Sequence, residues 1–138
     1  MSRWVLDTDM VTLLLRGNPR VCERVSAVSP AEVTTTIITV EELLTGWYAQ
    51  IRRVRDDAKL IRAYEGLRQT VEFCRTVHIL DFDLAALERF HRMRTSHRRI
   101  GTNDLRIAAI VIERQAVLVT RNRQDFEPLP GLALDDWS

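Results

Sequence analysis

Four acidic positions stand out by their surroundings: Asp7 after Trp4-Val5-Leu6, the pair Glu41-Glu42, Asp104 after Thr102-Asn103, and Asp125 shortly beyond Thr120, with Asn122 between. They lie far apart in the chain, and no group of cysteines or histidines accompanies them. If the fold gathers three or four of them, they make a hard, oxygen-rich site suited to Mg²⁺ or Mn²⁺. Such an ion makes water more acidic and offsets charge that builds on a phosphoryl oxygen, chemistry that points to phosphodiester hydrolysis. Scattered acids alone do not make a site. The elements that must position them decide.

Trp4-Val5-Leu6 and Ala116-Val117-Leu118-Val119 are short apolar runs of the kind buried on both faces in a parallel sheet. Thr8 to Arg16 has helical spacing and stops at Gly17-Asn18-Pro19, and a second helix runs to about Val28 before Ser29-Pro30. Glu32 to Ile38, rich in threonine, valine and isoleucine, reads as a strand. From Thr39 the residues Val40, Leu43, Leu44, Trp47 and Ile51 fall on one helical stripe. A further helix spans about Asp56 to Cys74, and Val77 to Leu80 is a strand. Asp81 or Asp83 caps a helix carrying Leu84, Leu87, Phe90 and His91, and Thr102 or Asn103 caps one from Asp104 to about Gln115. Leu129 to Ser138 reads as turns with a short edge strand. Strands alternating with helices imply one three-layer α/β domain over residues 1–138, with a mostly parallel sheet flanked by helices.

In such sheets ligands bind outside the carboxyl ends of the strands. Asp7 sits at that end of the first strand, and Asn122 and Asp125 sit just past that end of the strand at Ala116. At 100° per residue Arg106 and Glu113 project together toward water, while Asp104 points the opposite way, toward Leu105, Ala108 and Val111. An inward carboxylate needs a metal ion or a basic partner. Periodicity places Glu42 nearly opposite the Val40/Leu44/Trp47 stripe, hence exposed, and Glu41 on its flank. The pattern does not choose between the two.

Composition narrows the class. Apolar residues make up 46% of the 138, enough for a core, and the net charge is only +1. No run approaches the roughly 18–20 apolar residues of a membrane span, and Asp7 interrupts any leader, so a cytoplasmic protein is expected. Cys22 and Cys74 are expected to be buried free thiols. Between Arg89 and Arg99 there are five arginines and two histidines with no acid. That stretch is either a solvated helix face and loop or a patch for a polyanion.

Several segments together resemble the PIN-domain family, specifically its VapC-like toxins. They are Leu6-Asp7-Thr8; the threonine-rich strand from Thr36 leading into Glu42-Leu43-x-x-Gly46; Ile100-Gly101-Thr102-Asn103-Asp104-Leu105-x-Ile107-Ala108-Ala109; and Leu118-Val119-Thr120-Arg121-Asn122-x-x-Asp125-Phe126. The tail Leu129-Pro130-Gly131-Leu132 and Asp136-Trp137 also fits. The resemblance implies a parallel sheet with an acidic pocket that binds Mg²⁺ or Mn²⁺ and hydrolyses RNA, leaving a 5′-phosphate and a 3′-hydroxyl. It implies that Asp7, Glu42 and Asp104 belong to that pocket, selecting Glu42 over Glu41 against the periodicity. Asp125 matches the fourth acid, while many relatives carry an Asp where Asn122 stands, so Asn122 is a neutral candidate ligand. Thr8 and Thr120 resemble hydroxyls that orient the acids. Asp9 and Glu41 are expected to be surface acids, and His78, His91 and His97 to take no part.

The resemblance further implies a VapB-like antitoxin whose C-terminal segment blocks the pocket, and a homodimer. Leu13, Trp47 and Tyr48 are candidate contacts, although Trp47 suits a core as well. Arg89 to Arg99, with Arg121 and Arg123, would steer RNA. Two rival functions remain at this level: a catalytically silent Mg²⁺-binding module, or a processing nuclease of the same fold. A phosphate-receiver reading is disfavoured because the one lysine, Lys59, is not late in the chain. The chain also has no glycine-rich phosphate loop.

Overall fold

Alternate residues of two short strands divide the interior. Val5 and Leu118 enter one core, Leu6 and Val119 the other, and all four are fully buried. That is the period of two expected of strands covered on both faces. The computed structural model describes residues 3–138. In chain order the elements are β1 (Trp4–Leu6), α1 (Thr8–Leu15), α2 (Pro19–Ser26), β2 (Val33–Thr36), α3 (Ile37–Arg53), α4 (Asp57–Thr76), β3 (His78–Leu80), α5 (Leu84–Ser96), α6 (Thr102–Glu113), β4 (Val117–Val119), α7 (Arg123–Phe126) and β5 (Ala133–Asp135). The sheet order is β3-β2-β1-β4-β5 and all four pairings are parallel. The mostly parallel α/β sheet flanked by helices is therefore what the sequence led us to expect.

One core packs α5, α6 and α7 through Phe90, Leu105, Ile107 and Phe126. The other packs α1, α2 and α3 through Met10, Val11, Val21 and Leu43. The strand order reverses at β1, which has β2 on one side and β4 on the other. A crevice at the carboxyl ends of these strands is the usual place for a ligand. Threonines tie the sheet centre together: Thr34 and Thr35 donate to the Trp4 and Leu6 carbonyls at 3.0 and 2.7 Å.

Several boundaries differ from the sequence reading for local reasons. Strand β2 stops at Thr36, whose hydroxyl accepts from Thr39 N at 3.1 Å, so α3 starts at Ile37 rather than Thr39. Glu32, expected to open the strand, instead ends a single 3₁₀ turn, Pro30–Glu32, and β2 starts at Val33. Asp83, not Asp81, caps α5. Helix α6 begins at Thr102 behind Gly101 with no side-chain cap, so neither Thr102 nor Asn103 caps it. Thr102 is engaged by Arg94 and Asn103 by Arg106 instead. Cys22 and Cys74 are free, and each is half-buried rather than buried.

The C-terminal tail adds a packed corner. Trp137 is 2% exposed, its ring 5.3 Å from that of Trp4, with the Arg24 guanidinium 5.4 Å over it. Asp135 accepts from Trp137 Nε1 at 3.1 Å and pairs with Arg24 at 3.2 Å. The α3–α4 hairpin closes on Trp47, whose Nε1 donates to Thr70 Oγ1 at 2.9 Å, so Trp47 belongs to the packing between helices. Tyr48 on the same helix is exposed. Leu13 is half-buried and packed against the second core.

Candidate active site

Asp7 leaves β1 at the point where the strand order reverses. Its backbone N–H still donates to the Val119 carbonyl at 3.1 Å, holding it beside β4. The side chain caps α1, Oδ1 accepting from Met10 N at 2.9 Å, and the Thr120 hydroxyl at the end of β4 also bonds to it. Asp7 is 6% exposed. Burial raises its pKa to about 6, and the nearby charges of Asp9 and Asp104 push the same way against the two hydrogen bonds.

Glu42 lies on the second turn of α3, half-buried. Its Oε1 accepts from the Thr8 hydroxyl at 2.5 Å, and Thr8 is in turn 3.2 Å from the Thr39 hydroxyl. Its Oε2 stands 3.5 Å from Asn103 Nδ2. The exposed position that periodicity gave Glu42 is thus corrected. Helix α3 packs against α1 and α6 as well as α4. Its buried positions Thr39 and Leu43 therefore lie beside Glu42 and not opposite it. Glu41 is exposed, as expected.

Asp104 sits in the first turn of α6, half-buried. Its pKa is raised by burial and then by the charges of Glu42, Asp125 and Asp9. Asp104 and Asp125 line one cleft of about 250 Å³ together with Arg99, Gly101 and Gln124. Asn122 is exposed; its N–H donates to Thr120 Oγ1 at 3.0 Å and its carbonyl accepts from Asp125 N at 3.1 Å. The turn that Asn122 makes therefore presents Asp125. Asp7, Glu42, Asp104 and Asp125 come together from four separate segments. Asp9, assigned to the surface from sequence, is exposed but also acts on both Asp7 and Asp104.

Sequence reasoning missed Thr39 and Asn103, both of which reach the Glu42 region through hydrogen bonds. Their signal was present in the threonine run at 34–36 and in the polar pair ahead of Asp104. The arginine stretch is also redistributed. Arg89 pairs with Glu113 at 2.5 Å, and Arg94 bonds Thr102 and donates to the Ile100 carbonyl at 2.9 Å. The guanidinium groups of Arg94 and Arg106 both lie over the ring of Phe90, 5.7 and 5.4 Å from its centre. Arg106 and Glu113 are therefore not free in water as helix geometry suggested, because α5 packs along α6 and supplies both partners. Arg99 remains at the acidic cleft.

The donor set fits a hard divalent cation. All four acids carry oxygen donors, and no ion pair among the described residues neutralises any of them. Their mutual repulsion is visible at Asp7 and Asp104. Among the described residues no three acidic, histidine or cysteine side chains close around a common point. An open array of this kind suits an ion that keeps several of its waters, as Mg²⁺ does.

The PIN domain family profile matches residues 4–131. The chain is 28% identical over 137 residues to "Ribonuclease VapC1" of Haemophilus influenzae (strain R2866), covering 98% of each. It is 26% identical over 141 residues to the "tRNA(fMet)-specific endonuclease VapC" of Salmonella typhimurium, covering 99% of each. The fold overlays a chain of DNA-bound VapBC from Salmonella typhimurium with a TM-score of 0.82 at 25% identity, covering 100% of both chains. It also overlays VapBC2 from Rickettsia felis bound to a promoter DNA fragment, with a TM-score of 0.76 at 23% identity over 98% of both. With its acids gathered at the carboxyl end of a parallel sheet and a profile match over nearly all its length, this chain belongs to the PIN domain family.

Proposed function

We propose that this protein is a metal-dependent endoribonuclease, a single domain over residues 1–138, and the toxin of a toxin–antitoxin pair. The observation that carries the reading is the meeting of Asp7, Glu42, Asp104 and Asp125 in a chain that VapC ribonucleases match from end to end. Asp7, Glu42, Asp104 and Asp125, with Asn122 as a neutral ligand, would hold Mg²⁺ or Mn²⁺. The ion, when bound, would acidify water and offset the negative charge of the phosphoryl group in the transition state.

The chain's own residues do the positioning. Thr8 and Thr120 hold the carboxylates of Glu42 and Asp7 in place. Arg99, beside Asp104 and Asp125, supplies positive charge where a backbone phosphate must approach acids that repel it. Half-burial of Asp104 and near-complete burial of Asp7 keep the dielectric low, which strengthens each of these contacts.

Solved structures of similar fold include DNA-bound VapBC from Salmonella typhimurium and a toxin–antitoxin complex from Klebsiella pneumoniae, and an unrestrained ribonuclease would harm its host. A VapB-like antitoxin is therefore the partner we assign, with a homodimer of the toxin as the assembling unit. Exposed Tyr48 on α3 is a candidate contact. Among the described residues no helix is long and apolar enough to cross a membrane, and an enzyme that acts on RNA would work in the cytoplasm. Purified protein incubated with a mixed RNA pool and Mg²⁺, Mn²⁺ or EDTA tests the reading. Cutting that needs the ion and is lost in Asp7→Asn is expected; full activity in a folded Asp7→Asn protein would reject the site.

A further inference from the structure

A cleft of about 560 Å³ adjoins the acids, lined by Glu41, Glu42, Thr45, Gly46, Asn103 and Arg106 among others. Glu42 belongs to both the cleft and the acid cluster, so whatever fills the cleft lies against the reacting groups. Two of its polar walls are held. The Arg106 guanidinium lies 5.4 Å over the Phe90 ring and Nη1 donates to Asn103 Oδ1 at 3.1 Å. That contact leaves most of the five guanidinium N–H groups available. Glu41 is exposed and has no hydrogen bond or ion pair among the described residues.

Gly46 gives a second, independent sign that something enters. It lies inside the 17-residue helix α3, where glycine weakens a helix. A side chain there would meet no protein atom within 4 Å, so no packing contact requires a glycine. The space it leaves open belongs to this cleft and to a neighbouring one of about 260 Å³ lined by Thr8, Arg16, Glu42 and Gln50.

We infer that the Glu41–Asn103–Arg106 cleft reads the base of one nucleotide beside the scissile bond, and that this base is guanine. The inference rests on the nuclease reading above. An unstacked base in a side-chain pocket is how single-stranded RNA is usually read. Of the four bases, guanine alone offers a carboxylate two parallel N–H donors, N1 and N2, along one edge. Its O6 and N7 take an arginine on another edge, the commonest specific base contact in nucleic-acid recognition. Adenine, cytosine and uracil present Glu41 with a single aligned N–H. Asn103, bonded to Arg106 and close to Glu42, couples the occupied cleft to the acid that faces the phosphate.

The test maps cut sites in a mixed RNA pool, then compares kcat/KM on one short oligoribonucleotide carrying guanosine or inosine at the mapped position. Inosine lacks only the N2 amine. We expect guanine at one fixed position within about two nucleotides of the cut, and a guanosine-to-inosine ratio of about fivefold, the lower end of a bidentate base contact. In Glu41→Ala that ratio falls toward one, an effect that a general loss of structure would not produce. Cutting with no preferred guanine, or a ratio unchanged in Glu41→Ala, overturns the assignment. So does a Glu41→Ala protein that loses only its grip on an antitoxin, which would give the cleft to a protein partner. Fluorescence anisotropy of a short guanosine-containing oligoribonucleotide and of its counterpart with inosine at every guanosine, both on Asp104→Asn, reads the cleft without chemistry. A guanosine preference there supports the cleft even where no cutting is seen, so that absence of cutting counts against the nuclease reading alone, and equal binding overturns it.

Discussion

The Thr8 hydroxyl donates to Glu42 Oε1 at 2.5 Å, joining the first residue of α1 to α3 across 34 positions of sequence. Thr8 follows Asp7, which caps the same helix, so one short segment contributes one acid and orients another. The carboxylate of Glu42 is thereby fixed from the same segment that carries Asp7.

Removing that hydroxyl should disarm the site while leaving the fold in place. Thr8→Val keeps the shape of the side chain, and losing an orienting hydrogen bond costs about 10–100-fold in metal affinity or activity. Stability should change by only about 1 kcal/mol, the net worth of one such bond. Thr8→Ser should recover most of the activity. The assay is RNA cleavage as a function of Mn²⁺ concentration beside urea unfolding, and wild-type cleavage by Thr8→Val would show that Glu42 needs no such support.

How far the sequence disclosed this arrangement depended on the kind of signal. Buried strands such as Val5-Leu6 and Leu118-Val119 are legible because both faces demand apolar side chains. Asp7 was legible because a carboxylate directly after such a strand has few other places to go. Glu42 was not legible from periodicity. Helix α3 has partners on more than one side, and the residues beside Glu42, Thr39 and Leu43, are buried where a single stripe would leave them at the margin. Only the Glu42-Leu43-x-x-Gly46 match chose it over Glu41. The partners of Arg89, Arg94 and Arg106 were equally hidden, since a charge count does not reveal that Glu113, the Ile100 carbonyl or the Phe90 ring will fold against them. Trp137 was noted as part of a matching tail but not as core, because a ten-residue segment of turns carries no period from which burial can be read.

Two glycines of the α3–α4 hairpin should respond to alanine in opposite directions. A side chain at Gly46 would meet nothing within 4 Å, so Gly46→Ala should stabilise by about 1 kcal/mol, the helix-propensity difference. A side chain at Gly66 would stand 2.2 Å from the Trp47 ring, which is itself held by Thr70. Gly66→Ala should therefore destabilise by about 1–3 kcal/mol, as overpacking does. Thermal unfolding of both variants checks the pair. A destabilised Gly46→Ala would mean that α3 packs more tightly at that turn than its open surface indicates.

Without metal, the protein should become less stable as pH rises from about 4 to about 6. Burial lifts the pKa of Asp7 from 3.8 to about 6, so in that window the folded state holds a proton that the unfolded chain has lost. The stabilising preference for the protonated form is present below the lower value and disappears through the upper one. A shift of that size corresponds to about 3 kcal/mol at 1.36 kcal/mol per unit. Asn caps helices as well as Asp does and carries no charge. Asp7→Asn should therefore match the wild type near pH 4 and exceed it by up to that amount above pH 6, as measured by urea unfolding in EDTA. A pH-independent gap between the two would show that Asp7 ionises freely in the fold.

Divalent metal should reverse that ordering above pH 6. An ion bound only by the folded state adds stability in proportion to the logarithm of its concentration, about 4.1 kcal/mol at one thousand times its dissociation constant, which exceeds the gap of about 3 kcal/mol in EDTA. It also favours the ionised carboxylate, because a ligand must shed its proton to bind, so the gain should grow as pH rises through the Asp7 value of about 6. The raised pKa of Asp104 works in the same direction, its charge being opposed by Glu42 and Asp125 until a cation joins them. In Mn²⁺ at pH 7 the wild type should unfold at higher urea than Asp7→Asn, whereas in EDTA the variant should be the more stable. A Mn²⁺ gain of equal size at pH 5 and pH 7, or one retained in Asp7→Asn, would place the ion away from these carboxylates.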